Sequence, residues 1–170
     1  SGGLMWQGWG VLAPLCPICQ DYTYYLNALH EQWRAAEEPQ VELVGWFPNP
    51  TVTDEAIAEF ADRYAVEWEM ARDTIGWSEA VGARFTPEAA LVSPDGEVVY
   101  RGRVNDLYYA LGKHRSTPRS SDLALAVEQA LSGLTVEPAE TDAIGCPIQN
   151  RLPFQDSLAS QVFAGGVRGL

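Results

Sequence analysis

The stretch Trp9-Gly10-Val11-Leu12-Ala13-Pro14-Leu15-Cys16-Pro17-Ile18-Cys19-Gln20-Asp21-Tyr22 decides how the rest of the chain is read. Its first half, Trp9 to Leu15, is short and apolar, as a buried strand is. Its second half opens a helical register, in which Tyr22, Leu26, Leu29 and Trp33 recur at intervals of four, three and four. Proline is favoured at the first helical position, where its missing N–H would have had no partner. Pro17 therefore puts Cys16 at or near the N-cap and Cys19 one turn in. A sulfur there meets the positive end of the helix dipole and unpaired backbone N–H groups, and both favour the thiolate, which is the reactive form. The CxxC spacing lets the two sulfurs bond to each other. The roles that follow are attack on a substrate disulfide by Cys16, in the more exposed place, and resolution of the mixed disulfide by Cys19.

Two other readings compete for the pair. It could be half of a zinc site, but the further ligands would have to come from Cys146, His30 and His114, and none stands at finger spacing. It could also be an inert buried pair, since free cysteine packs like a small hydrophobe. No metal and no cofactor is assigned.

Downstream of Trp33, Pro39 stops the helix and Val41–Phe47 reads as a second buried strand. Thr53, followed by Asp54 and Glu55, caps a second helix with Ile57, Phe60, Ala61 and Tyr64 on its apolar face. An extended piece around Val66 to Ala71 follows. Thr86-Pro87 introduces the run Ala89–Val92, and Asp95-Gly96 turns it back into Val98–Arg101, a hairpin signal. A last helix starts at Ser120 or Ser121, carries Leu123, Val127, Ala130 and Leu131, and ends at Gly133. The order is strand, helix, strand, helix, hairpin, helix. It predicts an α/β three-layer sandwich with a central mixed β-sheet flanked by helices.

The 170 residues fit one domain. Of them 46% are hydrophobic and 20% charged, which is enough apolar surface for a core. Eleven Lys+Arg against 23 Asp+Glu give a formal charge of −12, a surface that repels phosphate backbones and anionic membranes. Nucleic acid is excluded as a partner on this ground. No apolar run reaches the roughly 18 residues of a membrane span, so no membrane insertion of this segment is expected. Ser1-Gly2-Gly3 lacks an initiator methionine and reads as a processing scar. Three cysteines are too few for a disulfide scaffold.

The strand–CPIC–helix junction, Thr86-Pro87 before the Ala89–Val92 strand, and the Asp95-Gly96 hairpin resemble the thioredoxin fold in that order. The resemblance implies that Pro87 is cis, that it lies against the CxxC, and that Thr86 and Pro87, with Pro17, contact an extended substrate. A closer resemblance is to bacterial redoxins of the alkyl hydroperoxide reductase C and thiol-specific antioxidant group. It rests on Cys16, Pro17 and Tyr22; Asp73, Gly82, Thr86, Pro87 and Glu88; Asp95, Gly96, Tyr100, Arg101, Gly102, Arg103 and Asp106; and Gly145, Cys146 and Ile148. It runs from about Trp9 to Ile148, which predicts a thioredoxin-like domain over 1–148 and a C-terminal tail over 149–170, docked or partly flexible.

The resemblance implies a thiol–disulfide oxidoreductase whose partners are protein or peptide thiols and disulfides together with a redox partner protein. It also implies an extracytoplasmic place, periplasmic or secreted. Cys146 is a candidate third redox thiol. Three departures are informative. Leu15 precedes the first cysteine where thioredoxins have tryptophan. Gln7 stands where thioredoxins carry a buried aspartate. Ala13 replaces the Thr or Ser that peroxiredoxins place three residues before their peroxidatic cysteine. Disulfide exchange is favoured over peroxide reduction, with a Cu(I)-binding module holding Cys16, Cys19 and His114 as a further alternative. His30 is read as a flank of the helix's apolar face and His114 as part of a solvated basic loop.

Overall fold

The computed structural model describes residues 5–155. Five strands form the main sheet: β1 (Trp6–Val11), β2 (Val41–Phe47), β3 (Glu69–Arg72), β5 (Glu88–Val92) and β6 (Val98–Gly102). Two-residue strands β4 (Phe85–Thr86) and β9 (Cys146–Pro147) pair with each other, and β7 (Tyr108–Ala110) pairs with β8 (Lys113–His114). The helices are α1 (Pro17–Arg34), α2 (Asp54–Arg63), α3 (Trp77–Ala80) and α4 (Asp122–Leu131). Strand order in the sheet is β3-β2-β1-β5-β6, with β1, β2 and β3 parallel and β5 and β6 antiparallel to their neighbours. The mixed sheet agrees with the expectation.

β1 lies at the centre, paired on both sides. It is displaced from the expected Trp9–Leu15: it starts at Trp6, and its last ladder bond is Leu12 N–H to the Trp46 carbonyl, 2.8 Å. The reason is Pro14, whose nitrogen has no proton to continue a ladder. Residues 12–16 instead leave the sheet and bring Cys16 to the start of α1.

The pleat sorts the core into two sides. On one side Leu43, Phe47, Ala89 and Leu91 meet Tyr22 and Leu26 of α1, Ile57 and Phe60 of α2, and Leu123 and Val127 of α4. On the other, Trp9, Val11, Val44, Trp46, Ala90 and Val92 pack with Ile75, Trp77 and Val81. Trp9 meets Trp46 and Trp77 edge-on, at centroid distances of 5.6 and 5.5 Å. Gly45 is where α-carbon size matters, because a Cβ there would sit 2.8 Å from the Trp68 ring.

Local signals explain the ends of the elements. Thr53 Oγ1 accepts from Ala56 N–H at 3.1 Å, the expected cap of α2. Asp73, buried between β3 and α3, takes the N–H groups of Gly76, Trp77 and Ser78, each at 2.8 Å. At α4 the helix begins at Asp122, whose carboxylate is held by Arg103 (2.8 Å), and Gly133 with φ of +75° follows its end.

The chain after Gly133 returns to the sheet. Arg101 N–H bonds to the Ala139 carbonyl and Thr141 N–H to the Arg101 carbonyl, at 3.0 and 3.1 Å. Beyond β9, Phe154 stacks near Trp77 and Gln155 N–H reaches the Ile75 carbonyl at 2.8 Å. Residues 149–155 thus lie against the second side of the core, and the rest of the expected tail lies outside the described residues.

Candidate active site

Cys16 is the N-cap of α1, with extended backbone (φ −81°, ψ 114°), and Pro17 is the first helical residue. Pro17 is exposed, whereas Cys16 and Cys19 are both buried, at 4% and 0% exposure. Cys16 is the more accessible of the two, as expected, though it is far from open.

The Thr86–Pro87 peptide is cis and both residues are buried. In its thiol form Cys16 donates to the Thr86 carbonyl, 3.3 Å away. The structure therefore brings together Cys16, Cys19, Thr86 and Pro87 from two separate segments. It adds Cys146, whose Sγ lies 2.6 Å from that of Cys16. All three cysteines are free thiols.

The three sulfurs are electrostatically unequal. The Cys19 thiol donates to the Cys16 sulfur and is the main reason that the Cys16 pKa falls to about 5. Burial opposes this, and the Cys146 thiol and the backbone N–H groups of Cys19 and Ile18 reinforce it. Desolvation, then the hydrogen bond and charge of Cys16, push Cys19 well above the usual thiol range. Desolvation and the same two effects of Cys16 push Cys146 up to about 11. At neutral pH the arrangement is one thiolate between two thiols.

The loop that carries Thr86 is held by a residue whose role sequence reasoning missed. Glu88, 2% exposed, accepts the N–H groups of Arg84 (2.8 Å) and Phe85 (3.1 Å) through one carboxylate oxygen and Arg101 (2.8 Å) through the other. Arg101 also reaches Glu140 at 3.2 Å. The available signal was an acid in an otherwise apolar strand, Glu88-Ala89-Ala90-Leu91-Val92. Arg103 and Asp106 likewise meet partners elsewhere, Arg103 with Asp122 and Asp106 with Arg115 and the N–H groups of Arg119 and Ser120.

An aromatic wall stands beside the thiols. Tyr22 donates to the Asn105 carbonyl at 3.0 Å and accepts from Tyr108 N–H at 3.2 Å. Tyr108 is pushed up to about 12 by desolvation and by Asp21, with a small contribution from Cys16. His114 is exposed, and its ring lies 5.3 Å from that of Tyr108. Among the described residues no group of three or more His, Cys, Asp or Glu side chains is placed to hold a metal ion. His30 is half-buried on α1. On the other flank, a groove of about 400 Å³ runs past Ala13, Pro14, Leu15, Val52 and Phe60, and Leu15 is 89% exposed at its lip.

Solved structures share this arrangement of strands and helices. An uncharacterized conserved protein from Geobacillus kaustophilus aligns with a TM-score of 0.71 at 18% identity, over 88% of this chain and 78% of its own. A hypothetical protein from Sinorhizobium meliloti 1021 gives 0.67 at 21% identity, over 88% and 82%. A thiol-disulfide oxidoreductase from Bacteroides fragilis gives 0.50 at 15% identity, over 57% and 71%. The fold is thioredoxin-like. No protein-family model and no curated protein matches the chain. Among the described residues no helix is long and apolar enough to cross a membrane.

Proposed function

We propose that the protein is a thiol–disulfide oxidoreductase in which Cys16 is the nucleophile and Cys19 a resolving thiol. The observation that carries this reading is the Cys16 sulfur at the N-cap of α1, ionised near pH 5 by the thiol of Cys19 and seated on the residue before a cis proline. A buried inert pair would have both thiols raised by desolvation, whereas here one is lowered and the other raised.

The Cys16 thiolate attacks one sulfur of a substrate disulfide, breaking the S–S bond and releasing one substrate thiol. Cys19 gives up its proton and attacks the Cys16 sulfur of the mixed disulfide, releasing the second thiol. Two electrons and two protons pass from the enzyme dithiol to the substrate, and a redox partner of the opposite poise completes the cycle. Pro17, Thr86 and Pro87 border the nucleophile and contact the substrate. The groove beside Leu15 offers an apolar surface for a peptide chain, in keeping with protein or peptide substrates. The Bacteroides fragilis neighbour, a thiol-disulfide oxidoreductase, supports the same reaction class. By resemblance to the redoxins the protein works outside the cytoplasm. Peroxide reduction is less well supported, because Ala13 has no hydroxyl to donate to a peroxide oxygen.

A glutathione redox titration with thiol trapping tests the assignment. Cys16 and Cys19 should interconvert together at one potential, and Cys16→Ser should abolish exchange with a model peptide disulfide. Undiminished exchange in Cys16→Ser would sink it.

A further inference from the structure

Building on the assignment of Cys16 as nucleophile, we infer that Cys146 is a second catalytic thiol, delivered by β9 to resolve mixed disulfides on Cys16 through a Cys16–Cys146 disulfide. Three features of the structure make this more than the nearness of two cysteines.

The first is register. Thr86 pairs with Cys146 across the β4–β9 ladder, and Thr86 is the residue whose carbonyl Cys16 touches. One residue thus sets the position of both sulfurs, which lie 2.6 Å apart although their residues are 130 positions apart in the chain. The second is delivery. A Cβ on Gly145 would collide with the Thr86 carbonyl oxygen, so glycine is what lets β9 approach this closely. Upstream, Thr141 is tied to Arg101 through the backbone and to Tyr100 and Arg103 through Oγ1. Downstream, Ile148 N–H bonds to the Arg84 carbonyl at 3.1 Å. Cys146 is held from both ends.

The third is access. Cys19 is fully buried, while Cys146 is half-buried and so the most exposed of the three thiols. Burial raises the Cys146 thiol, and while Cys16 is a thiolate its hydrogen bond and charge raise it further. Once Cys16 is bonded to substrate that charge is gone, and Cys146 ionises more readily at the moment it is needed.

The step balances without a further oxidant. The Cys16 thiolate attacks the substrate disulfide R–S–S–R′, and R′S⁻ leaves and takes a proton. Cys146 loses its proton and attacks the Cys16 sulfur; the Cys16–Cys146 bond forms, the bond to R breaks, and RS⁻ takes a proton. Two thiols are oxidised and one disulfide is reduced. Attack by Cys19 on Cys16 then moves the disulfide inward to Cys16–Cys19 and frees Cys146, with no net redox change.

The test uses glutathione disulfide as probe on the full chain. Samples are quenched in denaturing acid, alkylated, and mapped by peptide mass spectrometry. In Cys19→Ala the expected product is a Cys16–Cys146 disulfide, with glutathione on Cys16 at most one tenth of its level in the Cys19→Ala, Cys146→Ala double variant. Adding Gly145→Ala to Cys19→Ala should restore the glutathione adduct, because β9 can no longer seat. The unmodified chain, sampled early in oxidation, should yield a Cys16–Cys146 peptide with Cys19 alkylated, which keeps the test independent of how the variants fold. If Cys19→Ala instead holds glutathione on Cys16 with Cys146 alkylated, and no such peptide forms in the unmodified chain, the inference is overturned while the reactivity of Cys16 stands. If Cys16 takes no glutathione in any form of the protein, the oxidoreductase assignment fails and the inference with it.

Discussion

Glu88 and Arg101 form an ion pair of 2.8 Å directly beneath the loop that bears the cis proline, and the same carboxylate closes the N–H groups of Arg84 and Phe85. One side chain therefore links β5, β6 and the approach to β4. Breaking a buried pair from one side costs several kcal/mol, because the surviving partner is left without its counter-charge. Arg101 is partly open and keeps Glu140, which softens the loss. Glu88→Ala should lower unfolding stability by about 3 kcal/mol in urea titration. Glu88→Gln, which keeps one acceptor for the two amides, should lose less. Equal losses would mean that the amide contacts contribute nothing.

Cys16 should alkylate with a midpoint near pH 5, since its thiolate predominates above that value. The Cys19 thiol is the leading cause, so Cys19→Ala should move the midpoint upward. Cys146→Ala should also move it upward, but by less. Rates of iodoacetamide modification across pH 4–9 decide this, and an unmoved midpoint in Cys19→Ala would contradict the assigned cause.

The same ionisation has a stability consequence. The folded thiol titrates near 5 and the unfolded one near 9, so between these values the unfolded chain holds the extra proton and stability rises with pH. The contribution is complete above about pH 9 and lost below about pH 5. The raised pKa values of Cys19 and Cys146 act in the opposite sense, and only above the ordinary thiol range. The stability advantage of the reduced parent over Cys16→Ala should thus be larger at pH 8 than at pH 5 by chemical denaturation.

Asp73 satisfies three backbone N–H groups at the start of α3 from a buried position. Asp73→Ala leaves all three without that acceptor and should cost about 3 kcal/mol or more, with a change in the near-ultraviolet signal of Trp77. Asp73→Asn, retaining one carbonyl oxygen, should cost less.

Much of this architecture was legible in the sequence where the signal was local. Val41–Phe47 is a strand over the expected residues because a run that is apolar except for Glu42, and buried on both faces beyond it, has few alternatives. Thr53, Pro17 and Asp95-Gly96 announce their elements through side-chain and backbone chemistry that acts within a few residues. Cys16, Cys19, Thr86 and Pro87 converge as the CxxC and Thr-Pro motifs implied. What escaped was set by partners far along the chain. β9 is two residues long and has no periodicity to read, and its pairing with β4 depends on the course of residues 134–144 along β6. The position of Cys146 could not be reached from spacing for that reason. The clamp of Glu88 on Arg84, Phe85 and Arg101 was hidden because a single acid in a strand is silent about which donors surround it.

The separation of Cys16 and Cys146 by 130 positions gives their union a mechanical meaning that the short Cys16–Cys19 bridge lacks. A bond across that span would enclose β2, β3, β5 and β6, four of the five strands of the main sheet, in one covalent loop. In the chain-entropy description, closing a loop of that length removes freedom from the unfolded ensemble worth about 5 kcal/mol at 25 °C, against about 2 kcal/mol for a loop of four residues. Passing the disulfide from Cys146 to Cys19 would then loosen the molecule against heat while leaving its oxidation level unchanged. The melting temperature would report which of the two thiols holds the bond.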